Sequence, residues 1–341
     1  MPLPHLLRRR APRSGARRTA RRLAVTVPLV SLAGVLALTG CANRERDAAP
    51  GAGTSTTASS AAQTAAFPVQ VTVPGTDHAV TVERRPERIV SLAPSSTESL
   101  FAIGAGEQVV AVDNQSNYPE QAPRTDLSGY TPNIEAITGY NPDLVIASND
   151  TEQLVASLEK VKVPVLLLPS PHNLDELYAE VTALGKATGH LTEAEDLVRT
   201  MRSDIDKIVK DTPKPAKQLT YYHELDPQLY SATSRTFIGQ IYGLFGLVNV
   251  ADAAGGTGDY PQLSPEHVIN ANPDLVFLAD TKCCGQDAAA VAARPGWQSV
   301  TAVRDNGVVA LNDDIASRWG PRVVDLVRTV SDAVTRTAQQ G

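Results

Sequence analysis

Residues 134–146 read IEAITGYNPDLVI, and residues 265–277 read PEHVINANPDLVF. They align at an offset of 131, with identities at Glu135/Glu266, Asn141/Asn272, Pro142/Pro273, Asp143/Asp274, Leu144/Leu275 and Val145/Val276. Each stretch spells a short helix, an Asn-Pro-Asp turn and an apolar run of strand length. Asn and Asp suit turns because they tolerate left-handed backbone and bond back to it, and Pro cannot continue a helix. A helix–turn–strand unit repeated in both halves points to two related α/β lobes facing each other across a cleft.

The same alternation continues on both sides of each copy. The short alternating runs Val69–Val73 and Ala79–Val82 flank Pro74-Gly75 and predict a hairpin. Strands follow at Arg88–Leu92, Gln108–Val112, Leu144–Ala147 and Val163–Leu168, with a helix from the Ser95/Ser96 cap to Ile103 and another over Glu152–Lys160. The second half offers strands at Gln218–Tyr222, Leu275–Ala279 and Val308–Leu311, and helices over Thr236–Phe245, Pro265–Asn270 and Pro321–Thr335. Strand–helix alternation of this kind gives parallel sheets covered by helices, so each lobe reads as a three-layer α/β unit.

Between the halves, Leu174 to Val209 is helical in pattern, broken only at Gly185 and Gly189. Leu191, Ala194, Leu197, Val198, Met201, Ile205 and Ile208 recur at helical spacing, and Pro213 with Pro215 ends the run. The expected organisation is a leader over 1–40, a tether over 41–67, an N-terminal lobe over 68–188, a stiff connector helix over 189–212 and a C-terminal lobe over 213–341.

The first forty residues hold eight Arg and no other charged residue, followed by the apolar run Leu23–Leu38 and then Leu38-Thr39-Gly40-Cys41. That run is shorter than the roughly 20 residues needed to span a bilayer, so it reads as the apolar region of an export signal. Leu-Thr-Gly-Cys resembles the bacterial lipobox, which predicts cleavage before Cys41, its lipidation, and anchoring at the outer face of the cell membrane. Arg17-Arg18 and Arg21-Arg22 leave a twin-arginine route open. Residues 42–66 are small and polar, a composition that cannot offset ordering entropy, so they form a tether with a reach of roughly 25–30 Å.

Splitting the charge sharpens the composition. Overall the chain has 31 basic and 37 acidic residues, but from Cys41 onward it carries 23 basic against 37 acidic ones. An acidic body of this kind argues against a nucleic-acid partner. Only Cys283 and Cys284 remain beside Cys41, and being adjacent they read either as a vicinal disulfide or as two thiols.

Signatures of catalysis are missing from the sequence. It has no G-x-S-x-G elbow, no phosphate-binding G-x-x-x-x-G-K-[ST] loop and no H-E-x-x-H, and its six His are scattered. No catalytic residue, resident metal or cofactor is expected. Asp313-Asp314 reads as loop carboxylates or ligand contacts. Tyr118, Tyr130, Tyr222, Tyr230 and Tyr260 fall at strand ends and loops, with Trp319 late in the chain. Flat amphipathic rings in such loops suit a large planar ligand, because α/β folds bind ligands beyond their strand ends.

These segments together resemble a known family. The lipobox, the hairpin, RIVSLAPSSTESLFAIGAGEQVVAV (88–112), NPDLVIAS (141–148), the connector and the second half are similar to the class III substrate-binding lipoproteins of ABC importers. The resemblance covers about residues 68–337. It implies a monomeric receptor with a rigid helical backbone that takes a metal chelate (vitamin B12, a ferric siderophore or haem) to a permease and its ATPase. Among these proteins, vitamin B12 receptors share the pattern seen in Ser91–Glu98 and in Tyr118-Pro119-Glu120-Gln121-Ala122. Their pocket tryptophans fall on Tyr130 and Tyr260, their last-loop acid on Asp313 or Asp314, and their Pro-Arg helix start on Pro321-Arg322. The resemblance also implies that Glu135 and Glu266 dock onto permease arginines; a helix N-terminal carboxylate would occupy the same two positions for its dipole alone. Two other readings are a secreted redox enzyme using Cys283-Cys284 and a cell-surface interaction protein on the same scaffold.

Overall fold

Asn141 and Asn272, the two turn residues of the repeat, both sit in left-handed backbone, at φ 48° and 47°. The repeat is therefore structural as well as textual. The computed structural model describes residues 66–76, 78–255 and 258–340, and all of them fall within one structural unit. The expected leader, the expected lipidation at Cys41 and the expected tether fall outside the described residues, apart from Ala66 and Phe67.

Strands β1 (Val69–Thr72) and β2 (Ala79–Val82) form the expected antiparallel hairpin, with Val69 opposite Val82. Its alternating valines turn inward, as a period of two requires. The first parallel sheet contains β3 (Ile89–Ser91), β4 (Val109–Asp113), β5 (Arg124–Leu127), β6 (Leu144–Ala147) and β7 (Val165–Leu167), in the order β5-β4-β3-β6-β7. The second contains β8 (Thr220–Glu224), β9 (Val248–Asn249), β10 (Leu275–Leu278) and β11 (Val308–Ala310), in the order β11-β10-β8-β9.

Asp143 and Asp274 explain why the repeat exists. Asp143 accepts the backbone N–H groups of Glu87 and Arg88, both at 2.9 Å, and its own N–H donates to the Arg88 carbonyl. Asp274 does the same with Thr220, N–H to carboxylate at 2.9 Å and its own N–H back to the Thr220 carbonyl at 3.0 Å. In each half one carboxylate pins the start of the strand next door, which sets the sheet register.

Helices α1 (Pro94–Ala102), α2 (Ile134–Thr138), α3 (Leu154–Glu159), α4 (Leu174–Thr188) and α5 (Leu191–Asp211) follow in the first half. The second half adds α6 (Phe237–Gly243), α7 (Pro265–Ala271), α8 (Thr281–Cys284), α9 (Ala288–Ala292), α10 (Thr301–Arg304), α11 (Asp313–Ala316) and α12 (Val323–Gln340). Helix α1 starts one residue before the expected serine caps, with Pro94 at the first position where its fixed φ fits. Helix α3 is shorter than its pattern, because Glu152 and Gln153 take positive φ and break the first turn. The edge strands β5 and β9 escaped the sequence reading, one being polar and the other only two residues long.

The connector is a paired structure. Gly189, at φ +78°, is the break that ends α4. Gly185 does not break the helix: a Cβ there would meet the Ala194 Cβ at 2.3 Å, so it lets α4 and α5 pack closely. Helix α12 returns along α5.

Each sheet has an outer core of its own, Val90, Val145 and Leu158 in the first half and Tyr222, Val276 and Trp297 in the second. The inner faces share one core that runs through α1, α4, α5, α6 and α12. Three packed helices, and a core common to both halves, resist hinging more than a single helix would.

Candidate ligand-binding cleft

Strand order determines where the site lies. In the first sheet the chain winds one way from β3 and the other way from β6, and in the second it does so from β8 and from β10. Crevices open beyond the carboxyl ends of such neighbouring strands. Both crevices feed one cleft of about 440 Å³. Its walls are the segments after β3 (Ala93–Ser95), β4 (Gln115), β6 (Ser148), β7 (Leu168–Pro171), β8 (Leu225), β10 (Ala279 and Cys283) and β11 (Asp313, Asp314), with Tyr130 after β5 and Ser317–Trp319 closing the side.

Of the expected ligand residues, Tyr130, Asp314 and Trp319 meet at this cleft. Tyr130 is 76% exposed and free to lie against a ligand. Trp319 packs on Phe237 with ring centroids 5.1 Å apart, which presents the indole as a fixed wall. Asp314 accepts from Lys282 Nζ at 2.8 Å, pairs with Arg318 at 2.9 Å, and takes the Asn117 amide at 3.2 Å. These cations hold its carboxyl below the usual range despite partial burial.

Asp313 does different work. Its carboxylate receives the N–H groups of Thr281, Lys282 and Cys283 and the Thr281 hydroxyl, at 2.7–2.9 Å, and so caps helix α8. Cys283 and Cys284 form a vicinal disulfide on that helix, with Cα atoms 3.8 Å apart.

Tyr222 corrects the sequence reading. Its side chain is fully buried against Trp297, on the outer face of the second sheet and away from the cleft. Tyr222 lies inside its strand and not at its end, because β8 runs two residues beyond the expected end at Tyr222. His223 and Glu224 hid that extension. Both are polar and wholly buried, His223 bonded to the Tyr242 hydroxyl at 2.8 Å and Glu224 held by Arg294 through two bonds of 2.6 Å. Tyr260 sits exposed on the loop leading to Pro261 and is not among the residues that wall the cleft. Tyr118 is half-exposed, with the Arg322 guanidinium 4.1 Å above its ring.

Sequence reasoning missed what joins the two halves at the cleft. Arg322 clamps Glu98 along one guanidinium edge, Nε donating to Oε2 at 2.8 Å and Nη2 to Oε1. Arg318 donates to the Asn117 side chain at 2.6 Å. Within the first half, the Thr97 hydroxyl ties Ser91 at 2.8 Å to Ser116 at 3.0 Å, linking α1 to the segments that end β3 and follow β4. Both motifs of the ion pair were visible, the Thr97-Glu98 step and the Pro321-Arg322 step, but nothing in the sequence said that they touch.

Glu135 and Glu266 occupy equivalent places, the second residue of α2 and of α7, beyond the caps Asn133 and Ser264. Both are exposed.

The arrangement matches known proteins. The family described as "Periplasmic binding protein" matches residues 89–315. The chain belongs to this family. A cobalamin-binding protein of Halobacterium salinarum is 30% identical over 268 residues, covering 76% of this chain and 72% of that one. A Bacillus subtilis ABC transporter substrate-binding lipoprotein, YvrC, is 28% identical and covers 80% of this chain and 87% of its own. Among solved structures, the periplasmic vitamin B12 binding protein BtuF of Vibrio cholerae matches with a TM-score of 0.61 and 28% identity over 75% of this chain and 98% of that one. The haem-binding protein RhuT of Roseiflexus sp. RS-1 matches at 0.65 and 26%, over 74% and 100%. A periplasmic binding protein of this architecture is a solute-binding receptor with two lobes on a helical backbone. These relatives lend no support to the redox-enzyme or cell-surface interaction readings. Among the described residues, no helix is long and apolar enough to cross a membrane.

Proposed function

We propose that this receptor serves an ABC importer, holds a corrinoid in the cleft between its lobes, and passes it to a permease docked through Glu135 and Glu266. One observation carries the reading: the ends of strands from both sheets converge on one cleft whose charges are already balanced. Lys282 and Arg318 pair with Asp314, backbone amides hold the Asp313 carboxylate, and the two cations offset the two carboxylates. What is left for a ligand is hydroxyl, amide and ring surface from Ser95, Gln115, Tyr130, Ser148, Ser317 and Trp319. Such a wall suits an uncharged periphery rich in amides better than one bearing carboxylates, whose burial calls for a free cation. The cobalamin-binding relative supports the same choice.

Haem and ferric siderophores are the second reading, favoured by the haem-binding neighbour. In each case the metal arrives inside its own chelate as cargo. Export and anchoring through lipidated Cys41 complete the proposal, supported by the Leu-Thr-Gly-Cys sequence and by the lipoprotein relative. Titration calorimetry with cyanocobalamin, haemin and a ferric hydroxamate decides between the ligands. Micromolar or tighter binding of cyanocobalamin alone is expected. Binding of haemin or the hydroxamate in its place would reassign the cargo, and binding of none would overturn the metal-chelate reading.

A further inference from the structure

We propose that the Cys283–Cys284 disulfide is a ligand-contacting part of the cleft wall, and that its oxidation state sets the affinity of the receptor. This rests on the reading of the cleft as the ligand site.

The pair has no structural task that accounts for it. In the chain-entropy account a disulfide stabilises by closing a loop in the unfolded chain, and the gain grows with loop length. A bond between sequence neighbours encloses no residue, so that gain is minimal. Neither cysteine is packed in a core: both are exposed, on a helix of four residues that ends at Gly285 in left-handed backbone. The protein nevertheless holds this turn firmly. Asp313, the first residue of α11, accepts three successive N–H groups, the last being that of Cys283. The Cys284 N–H donates to the Asp280 carbonyl at 3.2 Å, tying the turn to the end of β10. The result is Cys283 fixed on the cleft wall beside Ala279 and Asp314.

Chemistry then distinguishes the two oxidation states. Joined, the sulfurs belong to a small ring that includes the intervening peptide bond, a stiff and polarizable apolar surface among serines and carboxylates. Such a surface suits the apolar edge of a large macrocyclic chelate, and being rigid it loses little freedom on contact. Reduction by a dithiol, which is itself oxidised to its disulfide, breaks the S–S bond and leaves two thiols. Each thiol then rotates independently and adds a weak polar donor to the wall. The oxidised state therefore binds more tightly, and the oxidising exterior keeps it so.

The test uses the purified full chain and cyanocobalamin as probe. Peptide mapping after alkylation should find Cys283 and Cys284 blocked as isolated and alkylated after reduction with dithiothreitol. Removing the reductant under anaerobic conditions before titration, the reduced protein should bind about tenfold more weakly than the oxidised one, equivalent to ~1.4 kcal/mol. The doubly substituted Cys283→Ser, Cys284→Ser chain should match the reduced protein while keeping the wild-type melting temperature. Should that variant fold poorly, the oxidised and reduced wild type give the same comparison without substitution. Free thiols in the isolated protein, or equal affinity in both states, would overturn the inference and leave the corrinoid reading intact. Failure of oxidised wild type to bind cyanocobalamin would instead overturn that reading and this contact together.

Discussion

Glu98 and Arg322 stand 224 positions apart and form a two-pronged ion pair that bridges the halves of the molecule beside the cleft. Glu98 belongs to α1, next to the first sheet, and is 3% exposed at its side chain; Arg322 immediately precedes α12 and is 16% exposed. The planar guanidinium meets both carboxylate oxygens and lies over the Tyr118 ring, so one side chain engages two segments of the first half. Its neighbour Gly320 passes close to the Ser95 carbonyl, which brings the start of α12 against the start of α1.

Removing one member of this pair leaves the other buried and unpaired. Glu98→Ala is expected to cost about 3–5 kcal/mol of stability, as for buried pairs generally, and Arg322→Ala a similar amount. The double substitution should cost less than the two single losses added together. Urea unfolding of the four proteins measures the coupling; additive losses would show that the pair does not act as a unit.

Asp314 offers a prediction on selectivity. Asp314→Ala frees Lys282 and Arg318 at the cleft, turning a balanced wall cationic. Affinity for haemin, which carries carboxylates, should rise relative to cyanocobalamin by about tenfold at low salt, with the difference shrinking as salt is added. Competition titrations at two ionic strengths test this; an unchanged ratio would place Asp314 outside the ligand's field.

Docking makes a separable prediction. Glu135→Ala combined with Glu266→Ala should cut uptake by whole cells while leaving cyanocobalamin affinity unaltered, since both carboxylates lie outside the cleft lining. A loss of affinity with the loss of uptake would reject the docking role. If both uptake and affinity stay intact, the duplicated Glu serves only the helix dipole of α2 and α7.

Glu180 predicts a pH dependence. Burial within α4, reinforced by the Glu176 carboxylate, pushes its pKa up to about 8 from an ordinary 4.5. The folded state then keeps a proton that the unfolded chain releases, so the stability linked to this group is complete below pH 4.5 and is lost as pH rises through about 8. His223, buried and lowered to about 3, acts in the opposite sense but only as pH falls below 6.5. Between about pH 7 and 8 the wild type should therefore lose stability by at most ~1.4 kcal/mol per pH unit through Glu180. Glu180→Gln should be flatter over that interval by denaturant unfolding, and a slope equal to the wild type would show that Glu180 does not carry it.

The fold was open to reading because its signals are local. The Asn-Pro-Asp turns, the valine alternation of β1 and β2 and the helical spacing from Leu191 to Ile208 each follow from backbone preference or periodicity within a few residues. The same local grammar placed Tyr130 and Asp314 in loops, and both line the cleft together with Trp319, which the sequence placed only late in the chain. It failed at Tyr222, because two buried polar residues, His223 and Glu224, concealed where the strand ends. It failed also at Gly185, where a residue that weakens helices in isolation stands because Ala194 leaves no room for a Cβ.

Taken alone, the amino-acid sequence determined that the protein has two related α/β halves, a helical link between them, and arginine-rich first forty residues unlike the acidic chain that follows. Those features depend on residues near one another in the chain, whose preferences do not need a partner. Only the tertiary structure decided which strand ends share a cleft, that Arg322 meets Glu98, that Asp313 caps a turn while Asp314 pairs with Lys282 and Arg318, and that Cys283 lines the cleft. The pairs Asp313–Cys283, Asp314–Lys282 and Glu98–Arg322 join groups from 30 to 224 positions apart. Such pairings are set by sheet order and by packing of the shared core, which no short stretch of sequence specifies.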